Sequence, residues 1–301
     1  MSQDQFTAGG GRFNFGKYNL QSTYHYWSYQ ATTDYDINQN LHLYARTGRG
    51  QRSGGYSIPI SSAAAAAPFK PEELTDYEIG LKTVGLLDGA LSFNADYYYG
   101  KYRDIQRLLS HLVLLPSGQG VFVSSIINAA GATVSGVETE FNWRLLKPLT
   151  LTGYGTYTDA HYNDFPYQPT AAPATNLRDQ PFYQTPEWMA RLGATYEVPV
   201  SYGSWRLNVG WNWQSTTSLM LITDSHGYQP AYNLVDARLS WTSPNKAWEV
   251  SVYGTNLTGT HYYTYGQYNN KTFPTTIPRQ SFFVVGDPRI YAAEIAYHFE
   301  K

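Results

Sequence analysis

Cysteine is absent from the 301 residues, which rules out disulfides and thiolate metal sites and leaves the redox compartment open. Charge is scarce as well: Asp, Glu, Lys and Arg together make up 15% of the chain, against roughly 25% in soluble domains. No window approaches the ~20 consecutive apolar residues of a membrane-spanning helix. The opening MSQDQFTAGGG has neither the basic nor the apolar region of a signal peptide, so an exported protein would have its start elsewhere. A formal net charge of −2 supplies no basic stripe, and nucleic acid is not an expected partner.

Polarity comes instead from uncharged groups. The mean hydropathy of −0.42 reflects 28 Tyr, 26 Gly and many Asn, Ser and Thr. Tyr and Trp carry an apolar ring and a polar tip, which suits strands, glycan-binding surfaces and membrane interfaces alike. The commonest pattern along the chain is strict alternation, which puts apolar side chains on one strand face and polar ones on the other. Tyr77, Ile79 and Leu81 oppose Asp76, Glu78 and Lys82; Val137, Thr139, Phe141, Trp143 and Leu145 oppose Glu138, Glu140, Asn142 and Arg144. The same holds where Trp205, Leu207, Val209, Trp211 and Trp213 oppose Arg206, Asn208, Asn212 and Gln214.

Counting such segments predicts roughly eleven strands. They run from Leu20 to Thr32, Leu41 to Thr47, Leu74 to Val84, Leu91 to Tyr99, Val137 to Leu145 and Leu149 to Asn163, then Trp188 to Val198, Trp205 to Gln214, Tyr232 to Thr242, Trp248 to Thr255 and Arg289 to Phe299. No segment has a helical period. Short connections (Asp34 to Asn40, Gly85 to Gly89, Leu146 to Pro148, Ser201 to Ser204, Ser243 to Lys246) alternate with long ones (Gly48 to Glu73, Leu109 to Gly131, Asp164 to Pro186, Thr217 to Ala231, Asn256 to Pro288). One end of the sheet is therefore expected to carry tight hairpins and the other large loops, the pattern of an antiparallel transmembrane β-barrel. A soluble secreted β-sandwich or propeller that binds a glycan predicts the same alternation but not the one-sided loops.

Several stretches resemble the TonB-dependent receptors of the bacterial outer membrane. Leu43-Tyr44-Ala45-Arg46-Thr47-Gly48 leading to Arg52-Ser53-Gly54-Gly55-Tyr56 is similar to that family's strand and Gly-rich loop entrance. Glu73 to Lys82, Leu87-Asp88-Gly89 and the strand through Asp96 to Gln106 resemble its most recognisable barrel hairpin. Asn128 to Ala132, Gly136-Val137-Glu138 and Trp143 resemble the next one, and Asn233 to Trp241, Trp248 to Gly254, Asn256-Leu257-Thr258, Tyr262-Tyr263 and Pro288 to Tyr291 its terminal strands. Tyr291, Ala293, Ile295, Tyr297 and Phe299 share a face like the terminal signal read by the barrel-assembly machinery, here followed by Glu300 and Lys301.

The resemblance implies an all-β architecture: residues 20–301 as the C-terminal part of a larger barrel of ~22 strands with a plugged lumen, preceded by residues 1–19 as a loop or fragment start. It implies a periplasmic C-terminus and contact with outer-membrane lipid. It also implies energised uptake of a small-molecule ligand such as a ferric siderophore, driven by a TonB-type energy transducer acting through a plug region outside this stretch, and no cofactor.

No catalytic or metal site is expected. The His residues form no ligand-spaced cluster, although His111, His161, His226 and His261 fall in or beside long loops. Glu138 and Glu140 could form a carboxylate pair, but they read better as polar residues lining a wet lumen. The Gly-rich runs Gly9 to Arg12 and Arg52 to Gly55 lack a strand-to-helix context for phosphate, and Ala63 to Ala67 ends at Pro68 after at most one helical turn. The loops carry Phe165, Tyr167, Tyr183, Tyr228, Tyr262, Tyr263, Tyr265 and Tyr268 with Arg178 and Arg279, a set suited to stacking on and charge-pairing with a flat or anionic ligand. Packing of the loops against themselves explains any one of these residues equally well.

Overall fold

Alternation of side chains dictates a two-faced sheet, and the computed structural model contains one, described over residues 6–8, 11–13, 21–56, 68–114, 120–167, 175–221, 227–268 and 281–299. We number its eleven strands β1 (Tyr29–Asn38), β2 (Leu41–Arg52), β3 (Glu72–Thr83), β4 (Leu91–Leu114), β5 (Gly120–Leu146) and β6 (Leu149–Asp164), then β7 (Trp188–Val200), β8 (Gly203–Gln214), β9 (Tyr232–Thr242), β10 (Trp248–Thr255) and β11 (Ile290–Tyr297). Each pairs antiparallel with its neighbour in sequence, so the sheet is an uninterrupted meander with β1 and β11 as its edges.

The register sorts the residues into two faces. One face carries rows such as Ala45, Ile79, Tyr97, Val137, Tyr157 and Trp188, cross-strand neighbours from β2 to β7. The opposite face carries Arg46, Glu78, Tyr98, Gly136 and Thr158. Large apolar groups on the first face stay open to the surroundings, with Ile79 60%, Val252 53% and Ile295 70% exposed; such rows are at home against lipid and costly against water. Trp205 and Trp213 bracket this face on β8, and at ~3.3 Å per residue they lie roughly 26 Å apart along the strand, close to the height of an apolar membrane band. Aromatic contacts mark both borders: Trp248 meets Tyr297 at 4.8 Å near the short turns, and Tyr157 meets Trp188 at 4.6 Å near the loops.

Glycine appears where a neighbouring ring needs the space. A Cβ at Gly80 would run into the ring of its cross-strand partner Tyr44, and one at Gly153 into the ring of Phe141.

The structure departs from the expected boundaries in three places. The first strand begins at Tyr29, not near Leu20, and runs through the expected turn to Asn38. Asp34 and Asp36 are tolerated there because alternation puts them on the polar face, where Asp36 meets His42 Nδ1 at 2.6 Å. Gly85 to Gly89 contains one helical turn, Leu86–Gly89, with Leu87 and Asp88 at φ 52° and 56°.

Leu109 to Gly131 is not a loop but an extended hairpin of β4 and β5, paired as far as Leu114 and Gly120. A bulge at Arg103 and Asp104 separates it from the rest of the sheet, with Asp104 at φ 51°. The extra residue reverses the facing of β4, since the two sides of a strand exchange when alternation slips by one. Ile105 and Leu109 thereby turn to the side occupied by Ala132 and Tyr162, and all four are buried together. Four of the long connections contain short strand pairs: Gly55–Tyr56 with Pro68–Phe69, Pro166–Tyr167 with Thr175–Asn176, Thr217–Ser218 with Tyr228–Gln229, and Tyr263–Tyr268 with Ser281–Val285. Phe6–Ala8 and Gly11–Phe13 pair with each other alone. Ala63 to Ala67 lies outside the described residues.

Candidate functional site

The polar face forms a concave wall with a cavity of about 580 Å³ whose lining includes Arg46, Asp76, Glu78, Asp96, Tyr98 and Glu138. Three strands supply its core by register: Arg46 on β2 faces Glu78 on β3, and its Nη2 lies 2.6 Å from Glu78 Oε2 and 3.4 Å from Asp76 Oδ2. Tyr44 donates its hydroxyl to Glu78 Oε1 at 2.7 Å, and Asn94 donates its amide to Glu140 Oε1 at 2.6 Å. Asp96 and Glu138 stand directly opposite each other. Glu138 and Glu140 thus belong to a hydrogen-bonded polar wall, as the alternation implied.

Above this wall the loops form two clusters. The first is apolar. Phe165 is 0% exposed and packs with Ile105, Leu109, Ala132 and Tyr162, flanked by Tyr167, Leu177 and Phe182. Asn176 fastens the base of this loop: its Oδ1 accepts from the backbone of Phe165 and Arg178, and its amide donates to Asp164. The Arg107 guanidinium lies 5.9 Å from the Tyr162 ring centre and 5.6 Å from that of Phe182, while Nε donates to the Tyr162 hydroxyl at 3.3 Å. The Arg107 charge is thus held by aromatic faces.

The second cluster ties three loops together. Gln184 donates its backbone N–H to Ser218 O at 2.9 Å and its side-chain amide to Thr264 O at 3.0 Å. Gln229, buried at 4%, accepts from the Tyr263 backbone at 2.8 Å. Tyr262 stacks on Tyr232 at 4.6 Å, Tyr263 lies 4.9 Å from Phe283, and Tyr265 lies 5.7 Å from Phe282. Burial, and then the neighbouring Tyr265, push the Tyr183 phenol above its ordinary pKa; burial alone does the same to Tyr167.

Of the residues singled out from sequence, Tyr183, Tyr263 and Tyr265 come together on this interlocked cluster beside the strand that carries Tyr228, and Tyr228, Tyr263 and Tyr265 remain open to the outside. Phe165 and Tyr167 belong to the apolar cluster instead; a wholly buried Phe165 cannot meet a ligand with the loop in this position. Arg178 points outward beside Asp179, 3.6 Å away. Tyr268 ends the Tyr263–Tyr268 strand, and Arg279 lies outside the described residues. Gln184, Gln229 and Arg107 were missed, because nothing local in a sequence distinguishes a glutamine that bridges loops from one that faces solvent. Among the described residues no group of three or more His, Cys, Asp or Glu is placed to hold a metal ion.

The family model described as "TonB dependent receptor-like, beta-barrel" matches residues 2–257. The chain belongs to this family. The receptor barrel is accordingly a protein of the bacterial outer membrane, and the sandwich and propeller alternatives fall with the single eleven-stranded meander. Similar solved structures include the ferric yersiniabactin uptake receptor FyuA from Yersinia pestis, with 20% identity and a TM-score of 0.70 over 90% of this chain and 37% of that one. The ferric-catecholate import receptor Fiu from E. coli K12 is 18% identical with a TM-score of 0.62, over 90% of this chain and 34% of that one. The copper transporter OprC is 17% identical with a TM-score of 0.64, over 90% and 40%. The receptor barrel thus spans little more than a third of the length of these structures. No curated protein sequence matches it.

Proposed function

We propose that the receptor barrel forms the C-terminal part of an energised uptake receptor, and that its loop end holds a small flat or anionic ligand of the ferric-siderophore kind before import. The observation that carries this reading is the interlocking of three loops through Gln184 and Gln229, which presents Tyr228, Tyr263 and Tyr265 at the loop end of the sheet. Aromatic faces on a pre-assembled support bind a planar chelate with little further ordering. No residue here is required to do chemistry; the TonB-type energy transducer would act through a plug beyond this stretch, and the barrel-assembly machinery would read β11. Named relatives that import ferric yersiniabactin and ferric catecholates support an iron-chelate cargo.

Deleting Tyr263 to Pro278 in the full-length protein, with barrel assembly checked by heat-modifiable migration, is expected to abolish binding of ferric catecholate and ferric hydroxamate probes and leave the barrel folded. Uptake at the wild-type level would return these aromatics to loop packing.

A further inference from the structure

The bulge at Arg103 and Asp104 turns Arg107 to the lumen side, where it stands between the buried side chains of Ile105 and Leu109 on the same face of β4. Two loops meet there. Phe182 faces the Arg107 guanidinium and stacks on the Tyr162 ring, while Tyr183, the next residue, belongs to the interlocked tyrosines. Leu221 packs against the same apolar cluster, and Thr217 and Ser218, just before it in the chain, pair with the strand that carries Tyr228. The cation therefore sits at the junction of the apolar cluster and the tyrosine cluster.

No acid answers its charge. Among the described residues Arg107 makes no ion pair. The acids nearest to it in sequence and register are held elsewhere: Glu72 accepts from the Gln106 backbone at 2.8 Å, Asp104 lies 3.9 Å from Lys70, and Asp164 accepts from Asn176 at 2.9 Å. Only Nε and Nη1 are engaged, through long contacts to the Tyr162 hydroxyl at 3.3 Å and Gln106 O at 3.4 Å; Nη2 has no partner among the described residues and is not buried. Arginine cannot shed its proton to escape this position. Drawing a cation away from water is unfavourable unless an anion or hydrogen bonds replace the water, and aromatic faces replace only part of it. The rings thus fix where the guanidinium lies, and its outer edge is left for an oxyanion.

We propose that Arg107 is the residue with which the loop end reads ligand charge: its open edge takes a carboxylate or phenolate oxygen of the ligand, while the flat part of the ligand lies on the tyrosines beyond Tyr183. The inference rests on the uptake reading above and adds to it a class, chelates with negatively charged oxygens on their rim. A guanidinium already pinned in place loses little freedom on binding, and charge-assisted hydrogen bonds are stronger than neutral ones. An uncharged chelate of the same shape would meet the tyrosines and gain nothing from the cation.

The test is calorimetric titration of the full-length protein in detergent with two ferric complexes of matched size, a negatively charged tris-catecholate and an uncharged tris-hydroxamate. The wild type should bind the charged complex more tightly, with an affinity that falls as salt rises. Arg107→Gln should weaken the charged complex roughly thirtyfold, the loss of one charge-assisted pair, and lessen its salt dependence. Affinity for the uncharged complex should stay within about twofold. Arg107→Lys, which keeps the charge without the planar fork, should recover part of the loss. Protease protection between Asp164 and Pro186 reports whether the loop stays in place, and Arg107→Met, whose stem fills the same space, takes the place of Arg107→Gln if that variant loosens the loop. Equal loss of both complexes would make Arg107 a rivet of the loop and overturn the proposal. So would unchanged binding of the charged complex with the stretch still protected, and either result leaves the uptake reading standing. A wild type that binds neither complex would remove the uptake reading and the proposal together.

Discussion

Asn256 shows how much a single side chain can fix. Its backbone N–H donates to Asp236, its side-chain amide to Thr260 O and Asp287 O, and its side-chain oxygen accepts from the Thr260 N–H and the Thr258 hydroxyl. It is 4% exposed and adopts φ 48°, a region Asn visits more readily than most residues. Both ends of the long connection after β10 are thereby held by one residue. Asn256→Ala should cost about 3 kcal/mol, from buried partners left unpaired and from backbone strain. We expect this as a lower urea midpoint and faster proteolysis of the loop in the full-length protein, while Asn256→Gly recovers only the strain.

Tyr183 provides a titration at the same scale. A phenol whose pKa is raised in the folded state stabilises that state below its unfolded value near 10.0 and loses this contribution as the pH rises through the folded value. The loop cluster should therefore loosen only on the alkaline side of pH 10.0, later than exposed tyrosines ionise. Absorbance at the phenolate band should show late-titrating groups, one of which Tyr183→Phe removes.

At the scale of elements, the bulge at Arg103 and Asp104 directs a whole hairpin. Deleting Asp104 would remove the surplus residue and, by alternation from Arg103, leave Ile105, Arg107 and Leu109 on the inner side. The apolar cluster around Phe165 should then survive, seen as continued protection from protease between Asp164 and Pro186. Phe165→Ala should instead open that stretch to cleavage while the barrel still migrates as folded, and cost up to ~3 kcal/mol of local order, less than a deep core site because the loop can collapse. If Phe165→Ala instead abolished ligand binding with the loop still protected, Phe165 would belong to the binding surface.

The bulge also explains what the sequence could and could not disclose. Alternation was legible wherever one face meets lipid, as at Leu74 to Val84 or Trp205 to Gln214, because a single misplaced side chain there is costly. Beyond Tyr102 the hairpin leaves the apolar band, and Leu112, Val113 and Leu114 follow one another without a period; no lipid face enforces one. The tyrosine-bearing loops could be located as a region, but which members converge depends on Gln184 and Gln229, whose partners lie tens of residues away.

On the scale of the molecule, the eleven strands leave two unpaired edges, and β1 is exposed along its whole length. Unsatisfied backbone groups in hydrocarbon cost several kcal/mol each, and exposed edges recruit other strands. Expressed alone without detergent, residues 1–301 should aggregate, as gel filtration would show; a monodisperse species with a cooperative thermal transition would contradict the reading of the apolar face as lipid-facing.

The hairpin of β4 and β5 also has a reach. From Lys101 to Leu114 the strand continues for fourteen residues past the aromatic border, which at ~3.3 Å per residue is about 45 Å of ribbon measured along its length. It is the mast of the receptor. Anything approaching a cell from outside, an antibody or a virus, would meet it before it could touch the apolar cluster around Phe165 at its foot. An epitope tag inserted between Leu114 and Gly120 should therefore be stained on intact cells even where surface sugars screen tags placed in the shorter loops.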